Sequence, residues 1–183
     1  MSIYINSPLN EDSVKELKAG DVVSITGTVY TARDAAHKRM IAILDEGKKL
    51  PFDIQNQILY YVGPCPAKEG QVIGSAGPTT SYRMDAYTPR LLDLGLKGMI
   101  GKGMRGSDVI DSMKKNNAVY FAAVGGAAAL ISKSIISEEI VAFEDLGTEA
   151  IRRLYVKNFP AVVIIDCEGN NLYETGRLEY EKG

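Results

Sequence analysis

Two short apolar runs, AVYFAAV at 118–124 and AVVIID at 161–166, constrain the fold of this chain more than any other feature. Neither alternates with polar residues, so each reads as a strand covered on both faces. The pattern predicts further strands over 21–30, 58–62, 98–100 and 135–143. Helices are expected over 33–46, 87–94, 108–115, 125–133 and 148–157. In the first of these Ala36, Met40, Ile43 and Leu44 share a face, and in the last Ile151, Leu154 and Tyr155 point inward. Pro89 either lies in the first turn of its helix or marks the true start. A turn over 167–171 leads to Leu172 and Tyr173, read as a terminal hairpin. Alternating strands and helices predict an α/β fold. The β-rich N-terminal part and the hairpin argue for a mixed, partly parallel sheet flanked by helices, not a purely doubly wound one.

The chain has 183 residues, 45% of them apolar and 24% charged, which fits a single domain over 1–183 with a real core. A net charge of −2, without any basic tract, excludes nucleic acid and acidic membrane surfaces as expected partners. The start, MSIYIN, lacks the layout of a signal peptide. No apolar run approaches the ~20 residues of a bilayer span. A cytoplasmic protein is therefore expected. The two cysteines, Cys65 and Cys167, are far apart and outside any paired motif. A disulfide framework and a zinc site built by this chain alone are both disfavoured.

Chemistry concentrates in three junction segments. The first is GPTTSYRMD at 77–85, where Gly77 and Pro78 stop the preceding chain and two threonines stand where a helix would begin. The others are ARDAAH at 32–37 and Gly101-Lys102-Gly103. Helix N-termini, hydroxyls and cations all favour an anion, so the three together suggest one site for a small, multiply charged anion. Each residue has a plainer reading beside this one. Thr79 or Thr80 is an N-cap, or a hydroxyl at the mouth of an anion site. Arg83 pairs with Asp85 at the surface, or it binds a carboxylate while Asp85 restrains the loop. His37, the only histidine, shares a helix face with Arg33 and is structural or functional. Lys102 is ordinary turn composition, or a point charge beside glycines that let a ligand approach. The GGAAA run at 125–129 reads as tight helix–sheet packing. In EDLGTEA at 144–150, Asp145 or Thr148 would cap the helix that follows, and its acidic residues are placed to hold the cationic loops.

These pieces, TGTVYTARDAAHKRM at 26–40, YYVGPCPA at 60–67, GPTTSYRMDAY at 77–87, GMIGKG at 98–103, GGAAALIS at 125–132 and EDLGTEAIRRLYVKNFPAVVIID at 144–166, run in a familiar order over nearly the whole chain. The chain resembles the β subunit, equivalent to the C-terminal domain, of the class I fumarase and L-tartrate dehydratase family of iron–sulfur hydro-lyases. The resemblance implies a swivelling β/β/α domain that closes over a partner. It implies a 4Fe–4S cluster held by three cysteines of an α subunit, with no metal ligand in this chain. The open iron of such a cluster acts as a Lewis acid on the substrate hydroxyl and a carboxylate. By position, Thr79 matches the threonine that takes the C3 proton. Arg33, Arg83 and Lys102 match residues that hold the substrate carboxylates. Thr80 and Asp85 take supporting places, and His37 falls within the motif. Tyr82 departs from the family, in which smaller residues are common at that place. The activity implied is reversible dehydration of (S)-malate to fumarate, towards which RMDAY leans, with L-tartrate as the alternative substrate. A non-catalytic dicarboxylate-binding module is the reading outside that class. The expected assembly is α2β2, with a dimer of this chain as a further form.

Overall fold

The computed structural model describes residues 1–123 and 128–180. Seven strands form one sheet: β1 (Ile3–Ser7), β2 (Val22–Thr31), β3 (Ile58–Tyr60), β4 (Gly98–Gly101), β5 (Val119–Ala123), β6 (Ile135–Ala142) and β7 (Ile151–Ile165). The helices are α1 (Glu11–Glu16), α2 (Asp34–Asp45), α3 (Thr88–Asp93), α4 (Ser107–Asn116), α5 (Ala128–Ser134) and α6 (Leu172–Tyr180). Short 3-10 turns cover Ser81–Met84 and Glu144–Glu149. The strand order is β1-β2-β3-β4-β5-β7-β6, and β2 also pairs with β7. Strands β1 to β5 are parallel neighbours, whereas β7 runs antiparallel to β2, β5 and β6. The pairings β2–β3–β4–β5–β7–β2 therefore close on themselves. The sheet is mixed, as the sequence pattern predicts.

Alternation along the central strands divides the core in two. Ile58, Tyr60, Ile100, Val119 and Phe121 join one cluster with Val14 of α1, Ile131 of α5, and Phe159 and Val163 of β7. Leu59, Met99 and Tyr120 face the other side, against Met40 of α2, Leu91 and Leu92 of α3, and Val109 and Met113 of α4. Helices thus cover both faces, which is why these strands carry no polar alternation.

The C-terminal third corrects the sequence reading. The expected helix over 148–157 does not form; from Ile151 onward those residues enter β7, a single strand of 15 residues that also takes in 161–165 of the apolar run. Leu154 and Val156 are buried while Arg153, Tyr155 and Lys157 are exposed, a period of two and not 3.6. Tyr155, expected inward, is 46% exposed. Pairing with β2 on one side and β6 on the other satisfies the backbone and overrides local helical character. A register shift opposite Ile25 and Gly27 absorbs Asn158, whose φ is 53°, just before Pro160. The terminal hairpin is also absent. The Asp166 side chain accepts hydrogen bonds from the N–H groups of Glu168 and Asn170 at 3.0 and 3.1 Å, closing a turn that leads into α6. The remaining predicted elements form within a few residues of their expected ends. Gly125–Ala127, the start of the expected small-residue helix, lie outside the described residues.

The strand geometry predicts the cost of two aromatic truncations. Phe159→Ala should lose about 3–5 kcal/mol of stability, and Tyr155→Ala about 0.5 kcal/mol or less. Urea denaturation of both variants checks this, and the reverse order would support a helix with Tyr155 inward.

Candidate active site

The candidate residues gather where the parallel strands β2, β3 and β4 end, the end at which the parallel strands of α/β folds bind ligands. Arg33 follows β2 by two residues, and Lys102 follows β4 directly. The Thr79–Ser81 segment docks beside them and extends the pairing. Thr79 N–H donates to Tyr61 O at 2.7 Å, Lys102 N–H to Thr79 O at 3.3 Å, and Ser81 N–H to Lys102 O at 2.9 Å. Thr80 and Lys102 are thereby bridged in parallel. Two glycines permit this approach. A Cβ on Gly101 would overlap Ser81 Oγ, and one on Gly63 would come within 2.6 Å of Arg33 Nη1.

Arg33, Asp34 and His37 occupy the first turn of α2. The turn's N–H groups are partly satisfied from afar, since Ala35 N–H donates to Glu149 Oε1 at 3.2 Å. This is one acidic residue of the 144–150 segment that holds a cationic loop, as expected. His37 is fully buried, with Tyr61 edge-on at 5.4 Å and Tyr87 at 6.0 Å. Burial pulls its pKa down to about 4, so the ring is neutral at pH 7. His37 Nδ1 lies 2.8 Å from the Arg33 carbonyl, which can only accept, so Nδ1 carries the proton and Nε2 a lone pair. Arg33 O therefore takes both the His37 backbone N–H, at 2.9 Å, and its ring N–H. His37 is structural in this respect, as an anchor for Arg33. Arg83 Nε donates to Asp34 Oδ1 at 3.0 Å, and the arginine remains half-exposed. Three buried atoms without a partner, Arg33 Nε, Asp34 Oδ2 and His37 Nε2, lie within these five residues. Of these only Arg33 Nε is a donor that an anion could satisfy.

The expected Arg83–Asp85 surface pair does not form. Asp85 restrains the loop instead: it accepts from Arg105 Nε at 2.7 Å and from Gly106 N–H at 2.6 Å. Sequence reading missed Arg105, which is buried and also donates to Thr88 Oγ1 at 2.9 Å and Tyr61 Oη at 3.2 Å. A buried arginine is rare unless paired, and nothing local in the sequence signals its partner. Asp34, as the partner of Arg83, was missed for the same reason.

Two further expectations need correction. Thr80 stands at the N-cap position, but its side chain makes no capping bond and only a 3-10 turn follows. Lys102 is five residues short of α4. Of the three junctions, then, only that of Arg33 opens an α-helix directly, and the cationic character elsewhere comes from side chains. In the segment at 144–150 no α-helix follows for Asp145 or Thr148 to cap. Asp145 binds Arg39 through both oxygens, at 2.7 and 2.9 Å, and the Thr148 carbonyl accepts from Arg152 at 3.0 Å.

Among the described residues no three His, Cys, Asp or Glu side chains converge as a metal site requires. Cys65 is exposed, Cys167 is buried, and both are free. Neither fits an iron–sulfur cluster by itself. No helix among the described residues is long and apolar enough to cross a membrane.

The family model described as fumarase C-terminus matches residues 1–176. The chain belongs to this family. It is 39% identical to a protein of Methanocaldococcus jannaschii provisionally named L(+)-tartrate dehydratase subunit beta, over 98% of this chain and 95% of that one. It is 36% identical to the aerobic class I fumarate hydratase of Escherichia coli over 96% of this chain, and spans 33% of that enzyme. It is likewise 36% identical to fumarate hydratase 2 of Leishmania major, of which it spans 31%. The chain has the length of that named β subunit and spans about a third of the curated fumarate hydratases it matches.

Two stability tests follow from the site. His37 has its pKa depressed in the folded state, so it costs nothing above its unfolded value near 6.5; below that, protons bind the unfolded chain preferentially. Stability should fall by roughly 3 kcal/mol as pH drops from about 6.5 to about 4, and His37→Asn should lose that slope. Urea midpoints between pH 7.5 and 4 measure it. Asp85→Ala should cost about 3–5 kcal/mol because it strands the buried Arg105, whereas Arg83→Ala should cost about 1 kcal/mol or less. Thermal melts at pH 7 would decide, and equal losses would contradict the assignment.

Proposed function

We propose that the chain is the β subunit of an iron–sulfur hydro-lyase that reversibly dehydrates (S)-malate to fumarate in the cytoplasm. One observation carries this reading: Thr79, Arg33, Arg83 and Lys102, from three separate segments, gather at one end of the parallel strands in a chain of the fumarase family. A dicarboxylate needs at least two cationic contacts. Here Arg83 shares its charge with Asp34, while Arg33 and Lys102 have no ion-pair partner among the described residues. The dehydration removes a proton from C3 and expels the C2 hydroxyl as water. It builds negative charge on the carboxylate next to C3, and preorganised cations stabilise that charge more in the transition state than in the substrate.

In this reading Thr79 takes the C3 proton. A threonine hydroxyl is a weak base alone, and neighbouring cations favour its ionised form. Arg33, Arg83 and Lys102 hold the carboxylates. Thr80 supports Thr79 through its bridge to Lys102, His37 anchors Arg33, and Asp85 holds the loop through Arg105. The 4Fe–4S cluster belongs to a cysteine-bearing α subunit, consistent with a match that is itself named a β subunit. The complex is α2β2.

A second reading, L-tartrate as substrate, is favoured by the Methanocaldococcus relative, which this chain covers almost end to end. The third, a dicarboxylate-binding module without turnover, keeps the cations but needs no base.

The test is an anaerobic assay of this chain purified with its α partner after reconstitution with iron and sulfide. Fumarate formation from (S)-malate is followed, with L-tartrate in parallel. Malate turnover well above tartrate is the expected result, and tartrate turnover alone would shift the assignment to the second reading. No turnover of either by a complex with a full cluster would leave the binding module. In the active complex Thr79→Ala should lower kcat by about 100-fold or more. Lys102→Met should raise KM by about tenfold, the loss of one charge-assisted contact.

A further inference from the structure

The loop that carries Thr79, Thr80 and Arg83 and the loop that carries Lys102 meet over one buried phenol. Tyr120, from β5, is fully buried. Its hydroxyl lies 2.8 Å from the carbonyl of Gly103 and 2.8 Å from Ser81 Oγ. A carbonyl can only accept, so the phenol proton goes to Gly103, and Ser81 must donate to the phenol oxygen. The direction of the chain from Ser81 through Tyr120 to Gly103 is therefore settled. The Tyr120 hydroxyl keeps this proton at neutral pH, as an ordinary phenol does, and burial pushes its pKa further up.

Both ends of that chain adjoin ligand-bearing positions. Ser81 follows Thr80, and Gly103 follows Lys102. Gly101 leaves the space that the Ser81 side chain fills. The ring is fixed from another side, with the Arg105 guanidinium 5.2 Å from the centres of both Tyr120 and Tyr61. Arg105 in turn is tied to Asp85 at the far end of the Thr79 loop. The ring packs in the cluster with Met99, Val109 and Met113, and the hydroxyl is its one polar atom there. The hydroxyl adds a link between two loops that are otherwise joined at this point by two backbone bonds, one of them 3.3 Å long.

We infer that Tyr120 is a positioning residue, whose hydroxyl sets the spacing between the Thr79–Thr80 pair and Lys102 and thereby the spacing at which a diacid is held. The diacid part rests on the proposed function; the link between the loops does not.

Tyr120→Phe keeps the ring and removes the link, and Ser81→Ala breaks the same link from its other end. The double variant completes a cycle. In the active complex each single change should lower kcat/KM for (S)-malate by about tenfold, mostly through KM, because misplaced groups bind the diacid less well. The double variant should be no worse than either single one within about twofold, because one link cannot be lost twice. In the full chain alone, amide hydrogen exchange at Ser81 and Lys102 should quicken by about tenfold in each variant, with exchange in β2 unchanged. Unchanged exchange at these two amides overturns the inference, as does kcat/KM within twofold of wild type, or losses that multiply in the double variant. A Tyr120→Phe chain that fails to fold leaves the decision to Ser81→Ala, which spares the core ring. A wild-type complex that turns over neither malate nor tartrate counts against the proposed function, and the exchange measurement then decides the link by itself.

Discussion

The antiparallel pairing of β2 with β7 is the interaction on which the rest of the structure depends. β7 meets β2 along nearly its whole length, then continues to β5 at one end and β6 at the other. This closes the circuit of strands around one apolar cluster. It also fixes where β2 ends, and so where Arg33 and α2 begin. Gly27, at φ 127°, faces the backbone of Ser7 so closely that no side chain fits between them. Its glycine lets β1 and the shifted part of β7 flank the same strand.

The site built on that frame is polarised. Its cations divide into those neutralised by the fold and those left for a ligand. Arg105 is spent internally on Asp85 and two tyrosine rings, and Arg152 on Glu138 and backbone carbonyls. Arg83 is half committed through Asp34. Arg33 and Lys102 stand at strand ends without an ion-pair partner among the described residues. Buried charges need partners, whereas charges at an edge keep theirs in solvent until an anion arrives. The same distinction separates the scaffold from the residues proposed to touch substrate.

His37 and Tyr120 show how neutral groups serve this arrangement. Near neutral pH the imidazole is unprotonated, through burial, and the phenol is protonated as its ordinary pKa dictates. Each then has a defined donor direction, one to the carbonyl of Arg33 and the other to that of Gly103.

The sequence by itself determined the strands buried on both faces, because only residues without a solvent side lack polar alternation. It also determined two of the three loops that carry cations and hydroxyls, since Gly and Pro mark those of Thr79 and Lys102 whatever the fold. Residues 148–157 were illegible. Their pattern satisfies a helical face and a two-residue period about equally, and long-range pairing with β2 and β6 decided for the strand. The partners of Arg83 and Asp85 were illegible too, because ion pairs across 49 and 20 residues leave no local trace. Tertiary structure alone brought Thr79, Arg33, Arg83 and Lys102 to one end of the parallel strands and set Tyr120 beneath two of their loops. Local propensity acts over a few residues, whereas the spacing of a site is set by backbone hydrogen bonds and packing between segments far apart in the chain.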